Sequence, residues 1–165
     1  MIQFKKIILT TDLSDNANAA TPYAVELAKR YNGTIHLIHV SEDSLYYAIG
    51  TGEKVAPIDP LIQVYDPAWV EEARRFREQQ LEKLAKSIGT NDGVTVIHLL
   101  QQGHAADKII TYAKAENADC IVIATHGRTG FSHFLFGSVA ERVVRMSVCP
   151  VLSVRPEKIL PMNPQ

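Results

Sequence analysis

Residues 120–144 read CIVIATHGRTGFSHFLFGSVAERVV, and this stretch decides the fold. It opens on Cys120-Ile121-Val122-Ile123, short, apolar and mostly β-branched, the composition of a strand buried on both faces. It closes on Val139, Ala140, Val143 and Val144, which recur at helical spacing. Between them, glycines at 127, 130 and 137 admit positive φ and let backbone amides come close to a ligand. Ser138 opens a helix whose first N–H groups lack intrahelical acceptors and carry partial positive charge, which is the physical basis of anion binding at such ends. The geometry suits a di- or triphosphate. The same residues admit a ligand-free explanation, because Ser138 with Glu141 three residues on has the pattern of a capping box.

Outward from this stretch, strands and helices alternate. Ile7-Ile8-Leu9 is a first apolar run, followed by a polar turn, Thr10 to Asn16, rich in helix caps. Ala20, Ala24, Leu27, Ala28 and Tyr31 share one helical face, and Asn32-Gly33 supplies the stop. Pro22 has no N–H, so this helix either starts near Asn18 or bends. Thr34 to Val40 reads as the second strand, Pro67 to about Ile88 as a helix, and Val94 to Leu100 as the third strand. Gly103 starts a turn, and Ile109, Ile110 and Ala113 mark the inner face of the next helix. Cys120 to Ala124 is the fourth strand and Val148 to Val154 the fifth. This alternation predicts an α/β fold, a doubly wound five-stranded parallel sheet with right-handed crossovers and helices on both faces.

In such a sheet, ligands bind beyond the carboxyl ends of the strands, where the strand order reverses. Asp12 follows strand one, Val40 ends strand two and the glycine loop follows strand four, so all three fall on one rim. Unrelated structural turns have no reason to combine an acid with such a loop, and the pattern points to a nucleotide.

The chain has 165 residues, 46% hydrophobic and 21% charged, which fits one domain, expected over 1–156 with a C-terminal tail at 157–165. Residues 41–66, with Gly50, Gly52, Pro57 and Pro60, exceed an ordinary connection. They read as a tolerated insertion, or as a segment whose Tyr46 and Tyr47, with Tyr65, cover a ligand or pack on a second subunit. A net charge of −1 supplies no broad basic field for nucleic acid or membrane surfaces. The chain starts directly on a strand pattern, without a signal segment or an apolar run near the ~20 residues that span a bilayer, so a cytoplasmic protein is expected. Cys120 and Cys149 begin apolar runs and read as small buried hydrophobes; a redox-sensitive pair is the alternative if strands four and five are neighbours. His39 lies in a strand and reads as structural, and His104 and His133 have no metal-site spacing, so no protein-held metal is assigned.

Three segments resemble the universal stress protein family: Lys6 to Ser14 (KIILTTDLS), Leu37 to Val40 (LIHV), and Ala124 to Gly130 continued through Phe136-Gly137-Ser138-Val139-Ala140-Glu141. ATP-binding members of that family carry a glycine, two residues, a second glycine, nine residues, a third glycine and then serine or threonine. Gly127, Gly137 and Ser138 match, while Ala124 replaces the first glycine and adds a methyl group that restricts φ. The resemblance implies a Rossmann-like, adenine nucleotide alpha hydrolase-like fold. It places adenine near Val40, Asp12 near the ribose or a Mg²⁺-bound phosphate, and Gly127, Gly137, Ser138 and Val139 on the phosphates. It also implies a homodimer through the last strand, Val148 to Val154, whose apolar edge pairing would protect.

The candidate nucleotide-contacting residues are therefore Thr10, Thr11 and Asp12; Val40; Ala124, His126, Gly127 and Arg128; and Gly137, Ser138, Val139 and Ala140. Arg128 is a charge-assisted phosphate donor or a solvated loop arginine, and His126 a donor or a packed turn histidine. No residue is placed as a general base and there is no P-loop lysine, so no catalytic residue is assigned. The expectation is an ATP-binding sensor or regulator, using Mg²⁺ with the nucleotide and hydrolysing at most slowly. An interaction module without nucleotide, favoured by Ala124, and a slow ATPase using Asp12, His126 and Arg128 are the alternatives.

Overall fold

The computed structural model describes residues 2–41, 67–125 and 137–156. The expected insertion from residue 42 onward and the tail at 157–165 lie outside the described residues. The elements run β1 (Lys6–Thr10), α1 (Asp15–Asn18), α2 (Thr21–Tyr31), β2 (Thr34–Ser41), α3 (Pro67–Asp92), β3 (Thr95–Gln102), α4 (Ala105–Ala115), β4 (Cys120–Ala124), α5 (Ser138–Met146) and β5 (Val151–Val154). They form one five-stranded sheet in the order β3-β2-β1-β4-β5, every pair parallel. The chain winds from β1 through β2 to β3 in one direction and then crosses to β4 and β5 on the other side, so the order reverses between β1 and β4.

Alternation within the central strands builds two cores. Ile7, Leu9, Ile35, Leu37 and Val122 face α2 and α3, where Ala24, Ala28, Leu81 and Ala85 close over them. Ile8, Ile38, Ile121 and Ile123 face the opposite layer, against Ile109 and Ala113 of α4 and Ala140 and Val143 of α5. Ile7, Ile8, Ile35 and Ile121 are fully buried, each worth roughly 1.5–3 kcal/mol relative to exposure. These strands carry β-branched residues at consecutive positions because both faces need apolar cover.

Several boundaries differ from the sequence expectation. The first helix breaks: α1, capped by Ser14, ends before Ala19, and α2 restarts at Thr21 with Pro22 in its first turn, where a missing N–H costs nothing. Asn32 takes the left-handed C-cap conformation at φ 47. Gly33 is needed for space, since a Cβ there would stand 2.4 Å from the Phe4 carbonyl oxygen. The long helix continues past Ile88 to Asp92, and β3 shifts to Thr95–Gln102. β5 is shorter than the apolar run, because Pro150 has no N–H to enter the ladder, although its carbonyl accepts from Ile121 N at 3.0 Å. β4, which bears Cys120, and β5, which Cys149 precedes, are neighbours, and both thiols are free. Cys120 belongs to the α2/α3-side core and Cys149 packs against the other.

Candidate functional site

The turn after β1 is fixed by a nested set of hydrogen bonds. Thr10 and Thr11 are buried, and Thr11 N donates to Ile38 O at 3.0 Å, extending the β1–β2 pairing into the turn. Thr11 Oγ1 accepts from Leu13 N at 2.9 Å, and Asp12 Oδ1 accepts from Ser14 N at 3.0 Å and from the Ser14 hydroxyl. Ser14 Oγ in turn accepts from Ala17 N at 3.3 Å and caps α1. These bonds hold Leu13 at φ 64, a left-handed conformation that a non-glycine residue adopts at a cost of about 1–3 kcal/mol. Both Ser14 bonds fall on one carboxylate oxygen and orient the half-buried Asp12 at the mouth of β1.

A buried histidine completes this turn. His39, 5% exposed, places Nδ1 2.8 Å from the Thr11 carbonyl oxygen. A carbonyl only accepts, so Nδ1 is the donor and the tautomer follows. The structural role expected for His39 is therefore specific: it ties β2 to the residue preceding Asp12. Strand composition gave no signal for this, because the bond joins positions 28 residues apart.

The second half of the rim is the passage from β4 to α5. Ala124 ends β4, and the buried Thr125 donates from N to Val154 O at 2.8 Å and accepts at its carbonyl from Gly137 N at 2.7 Å. The chain thus leaves the sheet at Thr125 and returns beside it at Gly137. His126, Gly127 and Arg128 fall in the intervening segment, 126–136, outside the described residues. Gly137 is the N-cap, at φ −71 and ψ 154, an extended backbone open to any residue. Its lack of a side chain serves the close approach instead, since a Cβ would lie 3.3 Å from the Thr125 oxygen.

This corrects the capping-box expectation. The bond to Thr125 sets the cap one residue earlier, Ser138 is the first helical residue, and the N-cap, Gly137, supplies no side-chain bond to α5. The first intrahelical bond runs from Glu141 N to Gly137 O at 3.0 Å. The N–H groups of Ser138, Val139 and Ala140 consequently have no intrahelical acceptor and point along the helix axis toward the rim. Ala140 and Val143 are buried and anchor the helix on the sheet, while Ser138 is exposed.

The sheet brings these parts together. β1 lies between β2 and β4, with Thr10 opposite Ile38 and Leu9 opposite Val122. Thr10, Thr11 and Asp12, then Val40, then Ala124 therefore stand at adjacent strand ends, with the start of α5 beside them, around the point where strand order reverses. That is the position at which open α/β sheets bind ligands. Among the described residues no group of three His, Cys, Asp or Glu could hold a metal ion, and no helix is long and apolar enough to cross a membrane.

The model of the Universal stress protein family matches residues 3–155. The chain belongs to this family. Universal stress protein MJ0531 of Methanocaldococcus jannaschii is 30% identical over 157 residues, 94% of this chain and 84% of that protein. Among solved structures, universal stress protein UspA from Lactobacillus plantarum superposes with a TM-score of 0.74 at 24% identity, over 93% of this chain and 99% of that one. A universal stress protein in complex with cAMP gives 0.63 at 18% identity, over 94% and 99%. The protein from Archaeoglobus fulgidus in complex with dAMP gives 0.60 at 22%, over 93% and 98%. At these identities the solved structures establish a shared fold, the parallel α/β sheet of universal stress proteins.

Proposed function

We propose that this chain binds an adenine nucleotide on the carboxyl rim of its sheet and works as a nucleotide-dependent regulator in the cytoplasm, with ATP and Mg²⁺ as the ligand and hydrolysis at most slow. The observation that carries this reading is the convergence, at the reversal point between β1 and β4, of an oriented carboxylate at Asp12 with the outward N–H groups of Ser138, Val139 and Ala140. Those N–H groups suit phosphate oxygens. Val40, half-buried on the α4/α5-side core, offers an apolar wall and a strand-end backbone for the base. Asp12 suits ribose hydroxyls or a metal-bound water. Thr10, Thr11 and Ala124 line the strand ends, the motif assigns Gly127 to the phosphates, and Arg128 and His126 are further phosphate donors by their chemistry. Family structures holding cAMP and dAMP support adenine as the base.

The residues fit Mg²⁺ as a companion of the nucleotide. Mg²⁺ keeps several waters and is commonly held by one or two carboxylates plus substrate phosphates, and a single rim carboxylate answers that description. Asp12 would hold it, and the ion would neutralise phosphate charge. A regulator needs unequal nucleotide affinity between two arrangements of its surface.

Denaturing the purified protein and analysing the supernatant by chromatography tests this reading, followed by calorimetry with ATP, ADP, cAMP and dAMP. Released or titrated adenine nucleotide, weakened by Asp12→Ala, is the expected result. A protein that releases nothing and ignores all four ligands would instead be the interaction module that Ala124 favours.

The same reading includes a homodimer through the Val148–Val154 segment. β5 is an edge strand, and Val144, Met146, Val148 and Leu152 are exposed by 47%, 55%, 61% and 37% beside it. Pairing with a second copy would cover both the apolar surface and the open ladder. Light scattering at micromolar concentration should give twice the chain mass, and Leu152→Asp should halve it; a monomeric native protein contradicts the dimer.

A further inference from the structure

We propose that a second copy of this chain docks on the β3 edge of the sheet, strand against strand and helix beside helix, about a two-fold axis. This edge lies opposite β5, and the inference rests neither on the nucleotide reading nor on the β5 dimer. Among the described residues β3 pairs with β2 alone, over all eight positions from Thr95 to Gln102 and without a bulge. Native edges are commonly blunted by short strands, lysine, proline or bulges. β3 reads TVIHLLQQ and has none of these, whereas β5 has only four residues. Ile97, near its middle, is 47% exposed.

The ladder decides which backbone groups face outward. Gly103 N donates to Ser41 O at 3.0 Å, and in a parallel pair alternate residues of an edge strand turn their backbone to the neighbour. Thr95, Ile97, Leu99 and Gln101 therefore bond to β2, while the N–H and C=O groups of Val96, His98 and Leu100 point away from it. A second β3 running antiparallel about His98 lets the two His98 residues exchange both hydrogen bonds. It sets Val96 opposite Leu100 of the second copy, and it covers the exposed Ile97 with Leu99 of the second copy.

Charge on the neighbouring helix selects a second copy as the occupant. Glu71, Arg75, Glu78, Glu82 and Lys86 recur at three- and four-residue steps and form one stripe along α3. Glu78 reaches His98 at 3.4 Å, which lays this stripe beside β3. The two-fold that pairs His98 with itself runs the stripe antiparallel to its copy, bringing Glu71 against Lys86 and Arg75 against Glu82, each pair twice. On their own helix Arg75 binds Glu71 at 3.2 Å and Lys86 binds Glu82 at 2.6 Å, all four side chains exposed. Across the interface these pairs join into two four-membered rings of alternating sign. The two Glu78 carboxylates meet near the axis, each with its own His98. A partner of one sign would leave half of this stripe unmatched. One strand pair with exposed ion pairs makes a weak contact.

The test is sedimentation equilibrium of the Leu152→Asp variant, whose β5 edge is blocked, from ~10 μM to ~1 mM, the range of weak contacts. The mass is expected to climb from one chain toward two. His98→Pro removes an outward N–H while leaving the β2 ladder intact, and should abolish the climb. Lys86→Glu should weaken association roughly tenfold, since the two-fold repeats each exposed pair and reversal turns attraction into repulsion. Adding Glu71→Lys should restore most of that loss. Residues 71 and 86 stand about 22 Å apart on one helix, so this rescue works only between copies. Circular dichroism reports that each variant is folded. A mass fixed at one chain throughout overturns the proposal and leaves the edge to another occupant; association that neither His98→Pro nor Lys86→Glu weakens overturns it too. Failure of the β5 dimer shows separately, as wild type no heavier than Leu152→Asp at the lowest concentration.

Discussion

Replacing Ser138 by proline separates ligand binding from folding at the start of α5. Proline removes one N–H and fixes φ near −65°. Ser138 occupies the first helical position, where its N–H has no intrahelical acceptor and proline is the favoured substitution. The residue before a proline must be extended, and Gly137 already is, at φ −71 and ψ 154. The helix should therefore tolerate the change, with unfolding free energy within about 0.5 kcal/mol of wild type in urea titration. The ligand loses one donor. A hydrogen bond to a charged group is worth about 1.5–3 kcal/mol, which at ~1.4 kcal/mol per decade is a loss of roughly ten- to a hundredfold in ATP affinity. Ser138→Ala, which keeps the N–H and removes only the hydroxyl, isolates the backbone contribution. Calorimetry with MgATP on the three proteins is the assay. Equal affinity in the proline variant and wild type, with α5 intact by circular dichroism, would refute the role given to this helix start.

The turn that carries Asp12 depends on His39, so His39→Leu should cost about 1–3 kcal/mol by stranding the buried Thr11 carbonyl, while His39→Asn, whose amide reaches near the Nδ1 position, should recover most of it; equal urea midpoints in both would refute the bond's importance. His36, buried with Nδ1 2.7 Å from the Tyr112 hydroxyl, has its pKa lowered by burial first and by Lys6 second, against an opposing effect of Glu116. The unfolded chain therefore takes up this proton first as pH falls: the stability is present above the unfolded value of about 6.5 and is lost on acidification toward the lower folded value. Urea midpoints between pH 7.5 and 5 should fall more steeply for wild type than for His36→Gln, and parallel curves would contradict this. Burial, with a smaller contribution from Cys149, pushes the Cys120 thiol up to about 11. A thiol reagent at pH 7.5 should modify Cys149 while Cys120 reacts only on unfolding; rapid labelling of both in the native state would contradict its placement. Gly33→Ala forces a Cβ within 2.4 Å of the Phe4 carbonyl and should cost about 1–3 kcal/mol, lowering Tm by roughly 3–10 °C at this size; an unchanged Tm counts against the close approach of α2 to β1.

The layers of the fold were legible because both faces of the sheet need apolar cover, which writes uninterrupted runs such as Ile7-Ile8-Leu9 and Cys120-Ile121-Val122-Ile123 into the chain. Ends were harder. Pro150 cut the apolar run at Val148 short of a full strand, and Gly137 displaced Ser138 from the cap because the Thr125 carbonyl draws in its N–H. That bond joins residues the sequence separates by a loop, and local pattern carries no trace of it. The same holds for His39 and Thr11. The positions of Asp12 and Val40 were readable because they follow from strand ends alone; how Asp12 is oriented, by Ser14 and by the left-handed Leu13, was not.

Backbone amide mapping bears most directly on the central claim. In ¹⁵N-labelled protein titrated with MgATP, the account predicts the largest shifts at Ser138, Val139 and Ala140, with accompanying shifts at Asp12 and Val40 and saturation at a common dissociation constant. Saturable shifts confined to other surfaces, with the start of α5 and the end of β1 unmoved, would contradict it.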